Sequence, residues 1–372
     1  MKLKNFKIRT RDWLIALAVV IFAVCVILLL HNRESIRYSL FGGTGSEARQ
    51  MDGSFVFDSG SNQVSVPVGN GLAVVSSTGL QLLDSSGREI LRESFSMTTP
   101  AIAAGDSAVA CFDIGGTTLY WGNLKGEFVD LTQEQSIFTV TMNRSGWMCV
   151  CTEETGYKGS VTVYNARQEK VYRWSSGEGY PVTACLSPDN SRLATLSVNS
   201  EGSTIHFFRL DSESEQANYA AEQEILMDMC WMADSRLCFL SQKRFGTLDG
   251  SGKLCGSYDF GDQYLTEYDL GGGAPVLMLG QYRTGGTGTL LSMGQNAEVV
   301  GQTEINRELL ALDANSSYIA VLCQDGLREY SRSMNQLGSS EEVKSAKDIA
   351  VLDNGNIFVV ETNYAELYSF SS

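Results

Sequence analysis

Residues 180–210, YPVTACLSPDNSRLATLSVNSEGSTIHFFRL, carry the pattern that decides the fold. Runs of β-prone residues alternate in this stretch with short clusters of Asn, Asp, Gly and Ser. Pro188 fixes φ at the first corner of one such cluster, and Asp189 can accept hydrogen bonds from neighbouring amides. The stretch therefore predicts consecutive antiparallel strands that are joined by tight turns.

The same texture extends over residues 53–372, where helical periodicity is almost absent. One class of turn follows the first apolar strand of each unit, and it occurs eight times at spacings of 36 to 46 residues. That spacing is close to the length of one four-stranded propeller blade. The turns are centred on Asn70, Asp106, Arg144, Asn190, Asp234, Gly272, Asn315 and Asn354.

A second class of turn follows 16 to 23 residues later in each unit but occurs only seven times, at residues 84–87, 123–126, 165–167, 211–213, 249–252, 294–296 and 331–333. The chain ends just after the third strand of the last unit, so that unit lacks one strand. Residues 54–57 (SFVF) precede the first unit and can supply this strand, which would close the ring. The sequence predicts an all-β, eight-bladed β-propeller. Seven blades are the alternative, because the units at 233–310 are the least regular.

Residues 187–194, SPDNSRLA, resemble the first hairpin of a blade in WD-repeat and TolB-like propellers. The Trp-Asp dipeptide of true WD repeats is absent from this sequence. A short basic tail, one apolar span and a cysteine-containing degenerate propeller together resemble an uncharacterised family of membrane-anchored propellers from Gram-positive bacteria. This resemblance implies a fold and an anchor but no activity.

Residues 13–30 form an unbroken apolar run that would make a helix of about 27 Å, which is long enough to cross the hydrocarbon core of a membrane. Five cations precede the run and two follow it closely, so the positive-inside rule places the N-terminus in the cytoplasm. The run lacks the features of a cleavable signal peptide. We expect a cytoplasmic basic tail (1–12), one transmembrane α-helix (13–30), a linker (31–52) and an extracytoplasmic propeller (53–372) in the cell membrane.

The domain after the span is strongly acidic. Residues 1–12 carry five cations and one carboxylate, so the rest of the chain has 23 cationic and 42 acidic side chains, a net charge of −19. Such a domain repels nucleic acid, and no basic stripe interrupts it. Nucleic-acid binding is therefore not expected.

Nine cysteines could form disulfides if the domain is exported. Cys25 lies in the predicted span, and most of the others lie in apolar runs where cysteine acts as a small hydrophobic residue. Free buried thiols are the first interpretation. Cys230 and Cys238 are the main candidates for a pair, because a turn at residues 233–236 would place them opposite one another. Free thiols are unusual in an exported protein and weigh against the predicted orientation.

The sequence contains little that points to catalysis. Its two histidines are His31, at the membrane boundary, and His206, in a strand where packing is the simpler role. This scarcity argues against a histidine triad or an imidazole metal site. The sulfur-rich stretches at 149–151 and 227–232 are explained by strand cores more simply than by soft-metal binding. The glycines at 285–288 lack the Gly-Lys-Ser/Thr ending of a phosphate-binding loop.

No catalytic residue, cofactor or metal ligand is assigned from the sequence. The leading hypothesis is a membrane-tethered scaffold without enzymatic activity that binds another protein or an envelope component through a face built from loops. The alternative is a carbohydrate-binding or hydrolytic propeller that uses carboxylates at the central channel. Desolvated carboxylates in a deep central pocket would favour the alternative, and an apolar patch on one face would favour the scaffold.

Overall fold

The computed structural model describes residues 46–47, 49–233, 235–284, 287–343 and 346–370. The predicted tail (1–12), the predicted span (13–30) and residues 31–45 of the predicted linker lie outside the described residues, as do Cys25 and His31. Within the described part of the chain, no helix is long and apolar enough to cross a membrane. Glu47–Ser372 forms one compact unit.

Eight sheets follow one another along this unit and form the blades of a propeller; seven have four strands and one has five. We name the strands of each blade A to D from the centre of the ring outward, because the first strands of successive blades contact each other. Blades 1 to 4 contain β3 (Val64–Val68), β4 (Gly71–Ser76), β5 (Gly79–Leu83), β6 (Glu89–Ser94), β7 (Pro100–Ala104), β8 (Ala108–Asp113), β9 (Leu119–Asn123), β10 (Phe128–Asp130), β11 (Ile137–Met142), β12 (Met148–Thr152), β13 (Gly159–Tyr164), β14 (Lys170–Ser176), β15 (Tyr180–Leu186), β16 (Arg192–Asn199), β17 (Gly202–Arg209) and β18 (Glu215–Glu222).

The later blades repeat the same order. Blades 5 to 7 contain β19 (Leu226–Ala233), β20 (Arg236–Ser241), β21 (Arg244–Asp249), β22 (Leu254–Asp259), β23 (Tyr264–Asp269), β24 (Val276–Gly280), β25 (Gly288–Met293), β26 (Val299–Ile305), β27 (Leu309–Ala314), β28 (Tyr318–Cys323), β29 (Gly326–Ser331) and β30 (Gln336–Ser340). Blade 8 consists of β31 (Asp348–Val351), β32 (Ile357–Val360), β33 (Tyr364–Ser369) and the N-terminal β2 (Arg49–Val56). The short β1 (Ser46–Glu47) is the fifth strand of blade 7, where it lies beside β30. A single 3-10 turn, η1 (Gly271–Gly273), joins β23 to β24.

The B strands are nearly continuous apolar runs. GLAVVS in β4 and MCVCT in β12 are buried at every position. A strand that is covered on both faces reads this way, because neither face meets water. The D strands, such as β18, alternate between exposed and less exposed residues, as expected at the rim of the ring.

The hydrophobic core is divided into eight clusters, one at each interface between neighbouring blades. The last of these interfaces joins blade 8 to blade 1. Phe358 of blade 8 packs there beside Leu72 of blade 1. Since every blade buries both of its faces against neighbours, the ring has no open end.

Ring closure by an N-terminal strand is confirmed. β2 pairs antiparallel with β33, with Ser54 opposite Glu366 and Val56 opposite Tyr364. The strand begins at Arg49, earlier than the predicted start of the domain, because the pairing continues to Arg49 opposite Ser369 beyond an irregularity in register. The eight-bladed prediction is therefore confirmed, and the seven-bladed alternative is wrong.

Both predicted classes of turn lie where the sequence places them, between strands A and B and between strands C and D, with Asp234 outside the described residues. Several of them are held by an Asn or Asp side chain that accepts amide hydrogen bonds. Asp84 Oδ1 accepts bonds from the Ser86 and Arg88 amides at 2.9 and 3.1 Å. The bond donated by the Ser86 hydroxyl is the main reason why the pKa of Asp84 falls to about 2.

Candidate functional site

The antiparallel blades give the ring two different ends. We call the end with the A–B and C–D turns the turn face. We call the other end, with the B–C turns and the links between blades, the loop face. Because every A strand starts at the loop face, the first residues of these strands surround the channel at that end.

Exposed apolar and tyrosine side chains are concentrated on the loop face. Tyr282 is 71% exposed, Tyr157 is 55% exposed and Tyr180 is 53% exposed. Single exposed apolar residues are normal on a protein surface, whereas a group on one face suggests a contact surface. The exposed members at or near this face are Val56, Val64, Ile114, Tyr157, Tyr180, Val182, Ile225, Tyr264, Tyr282, Leu310 and Tyr364.

Two of these tyrosines carry cations on their rings. The Lys158 ammonium lies 5.3 Å from the centre of the Tyr180 ring, and the Arg283 guanidinium lies 5.3 Å from the centre of the Tyr264 ring. Both cations belong to B–C turns, and both tyrosines begin A strands. Such contacts are favourable when the cation lies within about 6 Å of the ring centre. Two tyrosine rings of the loop face therefore already hold cationic side chains of the protein itself.

The loop face is also acidic. Among the residues that the structure describes, its exposed cations are fewer than its exposed carboxylates; the cations are Lys158, Lys243, Arg283, Arg307 and Lys347. Its exposed carboxylates are Asp58, Glu134, Glu153, Glu178, Glu201, Asp262, Glu308, Glu341 and Glu342. A surface of tyrosines among carboxylates is complementary to a segment that carries both cationic and apolar side chains.

The turn face has a cavity of about 540 Å³ at the mouth of the channel. Its wall is mostly apolar and contains Trp147, Trp231 and the sulfur-containing residues Met142, Cys149, Cys185, Cys230 and Met232. At its rim, Arg144 donates to Asp106 at 2.9 Å and also pairs with Asp353 of blade 8. The volume is suited to a small molecule or a few side chains.

Four aspartates occupy the A strands of blades 5 to 8. Burial raises the pKa of Asp228, Asp269, Asp313 and Asp348. The neighbouring charge of Asp269 raises the pKa of Asp313 further, to well above its usual range. All four residues lie on the innermost strands of the ring, and none of them is completely buried. The sequence could not assign these carboxylates, because they come from different blades.

Two of these aspartates join successive blades through backbone amides. Asp269 Oδ1 accepts a bond from Gly271 N, and its Oδ2 accepts one from Ala314 N, both at 2.6 Å. Asp313 Oδ2 accepts a bond from Val351 N at 2.5 Å. Asp269 and Asp313 also hydrogen-bond to each other. Asp269 and Asp313 therefore have a structural role, because they connect the innermost strands of blades 6, 7 and 8.

His206 takes part in a hydrogen-bond chain that the sequence did not predict. Its Nε2 shares a 2.8 Å bond with Ser197 Oγ, and its Nδ1 lies 3.1 Å from Glu215 Oε1. The order of groups matches that of a Ser-His-acid triad. However, Ser197 is only 4% exposed, and a Cβ built on Gly179 would lie 3.1 Å from its hydroxyl. With Trp174 packed 5.0 Å from the imidazole ring, the chain is part of the core between blades 3 and 4.

The sulfur-rich stretches belong to strand cores. Cys149 and Cys151 share one face of β12, as predicted, and pack between blades 3 and 4. Met229 packs on one face of β19, whereas Met227 and Cys230 pack on the other. Among the described residues, no group of three or more His, Cys, Asp or Glu side chains is arranged to hold a metal ion. Gly285 and Gly286 of the predicted glycine turn lie outside the described residues.

These features define the class of the protein as an eight-bladed, WD40-like β-propeller. The C-terminal WD40 domain of Sif2 matches it with a TM-score of 0.61 and 11% identity, over 89% of this chain and all of that domain. BamB from Moraxella catarrhalis matches with a TM-score of 0.55 and 12% identity, over 87% of this chain and 98% of BamB. The chain belongs to DUF5711, a family of unknown function whose model matches residues 48–260. Among curated proteins, none matches this sequence.

Proposed function

We propose that this chain is a membrane-tethered, extracytoplasmic β-propeller that binds another protein through its loop face and catalyses no reaction. The observation that carries the proposal is the group of exposed tyrosines and apolar residues on that face. Partly exposed aromatic residues on a rigid scaffold are typical anchors of protein interfaces. The acidic surroundings favour a partner segment with cationic and apolar side chains.

The absence of catalysis is supported by how the candidate catalytic groups are used. Asp269 and Asp313 accept backbone amides of neighbouring strands, and Ser197 is buried beneath Gly179. Hydrolysis at the central channel is the second candidate function, because the raised pKa of Asp313 suits a proton donor. However, the carboxylate of Asp313 already accepts a hydrogen bond from Val351 N, which favours the function of a binding scaffold over hydrolysis.

Partner binding is tested by photo-crosslinking in native membranes. We expect a chain with a photoreactive residue at Tyr282 to capture a partner, and a chain with the residue at Leu254, on a D strand, to capture none. Replacing Tyr157 and Tyr264 by serine should lower the yield at position 282 at least about tenfold, because interface tyrosines contribute about 1–3 kcal/mol each. Equal capture at positions 282 and 254, or a yield unaffected by the serines, would refute binding at the loop face.

The membrane topology is tested by cysteine labelling. Ser85 is exposed in the turn between β5 and β6, so Ser85→Cys should react with a membrane-impermeant maleimide in intact cells. The background carries Cys255→Ser to remove the half-buried cysteine on a D strand, and Asn5→Cys in the basic tail is the matched control. We expect full labelling at position 85 and none at position 5 until the cells are lysed. The reverse pattern would place the propeller in the cytoplasm.

A further inference from the structure

Cys230 and Cys238 form a close thiol pair in blade 5. Cys230 of β19 lies directly opposite Cys238 of β20 in the antiparallel register, as the sequence predicted. Their sulfur atoms are 3.3 Å apart, and both thiols are free. Directly opposed residues of an antiparallel pair have Cα atoms about 4.5–5.5 Å apart, which is within the range that a disulfide can bridge.

The two cysteines differ in their exposure. Cys230 is a half-buried residue and forms part of the wall of the turn-face cavity. Cys238 is fully buried among Leu240, Phe245 and Leu277 and is not part of that wall. A molecule that enters the cavity therefore meets Cys230 before Cys238.

We propose that Cys230 and Cys238 are a redox-active dithiol that is oxidised by small disulfides entering the turn-face cavity, with Cys230 as the attacking thiol and Cys238 as the resolving thiol. This site is distinct from the loop face, and its chemistry does not depend on the proposed partner.

The reaction proceeds in two exchanges. The Cys230 thiolate attacks one sulfur of a disulfide RSSR, which forms a protein–S–S–R mixed disulfide and expels RS⁻. The Cys238 thiolate then attacks the sulfur of Cys230 and expels the second RS⁻. Each expelled thiolate takes up the proton that the attacking thiol has lost. The protein dithiol is oxidised by two electrons, and RSSR is reduced to two RSH.

Oxidation would change the wall of the cavity. Cys230 Sγ now donates a hydrogen bond to the Leu270 carbonyl of blade 6 at 3.1 Å. A disulfide has no thiol proton, so this bond between blades 5 and 6 would be lost next to the turn at Gly271–Gly273. The redox state of the pair therefore controls one link between the blades at the mouth of the channel.

The surroundings of Cys230 make the exchange slow at neutral pH. Its hydrogen bond with Cys238 and its burial raise its pKa well above the usual range, and the nearby Cys185 and Asp228 raise it further. Because the thiolate is the nucleophile, the exchange should accelerate as the pH rises. A slow dithiol remains reduced until a disulfide is held in the cavity for long enough to react.

The test uses the full-length chain in detergent, reduced, desalted and then incubated with glutathione disulfide at pH 8.5. Trypsin cleaves after Arg236, between the two cysteines, so the disulfide appears as two crosslinked peptides in a mass spectrum. We expect this crosslink, with the release of two glutathione molecules for each crosslink formed. In Cys238→Ala, one glutathione should remain attached to Cys230, and in Cys230→Ser, Cys238 should carry no glutathione.

Half-exposed Cys255 provides the internal reference, because it can react without the cavity. If Cys230 is unmodified in nine tenths of the chains after Cys255 has reacted completely, the proposal is wrong. A crosslink between Cys230 and Cys185, the other half-exposed thiol of the cavity, would also overturn it. Since these results are read in the wild-type chain, they stand even if a variant folds poorly, which far-UV circular dichroism would reveal.

Discussion

Replacing Phe55 by alanine should lower the free energy of unfolding by about 3–5 kcal/mol, which is the usual cost of removing a buried phenylalanine side chain. Phe55 lies on the strand that closes the ring and is 2% exposed. Its ring meets that of Phe358 edge to face, with 4.7 Å between the ring centres. Urea unfolding of the full-length chain in detergent, followed by tryptophan fluorescence, measures the change.

Val56 provides the matched control for this experiment. It is the next residue of the same strand but is 64% exposed. Val56→Ala keeps the strand and its pairing with β33, so the free energy of unfolding should change by less than about 0.5 kcal/mol. If Phe55→Ala and Val56→Ala had equal effects, β2 would not close the ring through its buried face.

The ring and its closure could be predicted from the sequence because both depend on local chemistry. The turns require Asn, Asp and Gly at particular corners, and the covered B strands require continuous apolar runs. One missing C–D turn then indicated that residues near Phe55 complete the last blade. The start of β2 at Arg49 could not be predicted, since residues 49–52 have no pattern that separates a rim strand from a linker.

The candidate sites could not be predicted in the same way. The loop face is assembled from residues that are far apart in sequence, such as Tyr157 and Tyr282, and their exposure depends on packing. The position of Cys230 opposite Cys238 could be predicted because one hairpin brings them together. The cluster of aspartates could not be predicted, although one signal was present. An Asp in an A strand is not a turn residue and therefore needs another explanation.

Asp313→Asn should raise the stability of the propeller at pH 8 and weaken its dependence on pH. Asparagine has nearly the same shape, so its carbonyl can accept the amide of Val351 and its NH2 group can donate to Asp269. The variant therefore imitates the protonated form of Asp313 at every pH. It also removes one of two neighbouring carboxylates that repel each other when both are ionised.

The direction of the pKa shift determines whether stability rises or falls with pH. The pKa of Asp313 is raised on folding, so its stabilising contribution is complete below about pH 4, where the unfolded chain is also protonated, and is lost as the pH rises through the folded pKa. Each unit of this shift corresponds to about 1.4 kcal/mol. The lowered pKa values of Asp84, Glu224 and Asp249 act in the opposite direction, but only as the pH falls below about 5.

Between pH 5 and pH 8 the carboxylates with raised pKa values should therefore determine how the free energy of unfolding changes with pH. The wild-type chain should lose stability across this range. We expect Asp313→Asn to exceed the wild type by at least about 1 kcal/mol at pH 8 and to match it at pH 4. Asp211→Asn, at an exposed carboxylate paired with Arg209, should change the free energy of unfolding far less than Asp313→Asn does, because solvent screens an exposed ion pair. Asp313→Ala should instead destabilise the fold at both pH values, because Val351 N loses its acceptor. A wild-type stability that rises from pH 5 to pH 8 would show that Asp313 is ionised in the folded ring.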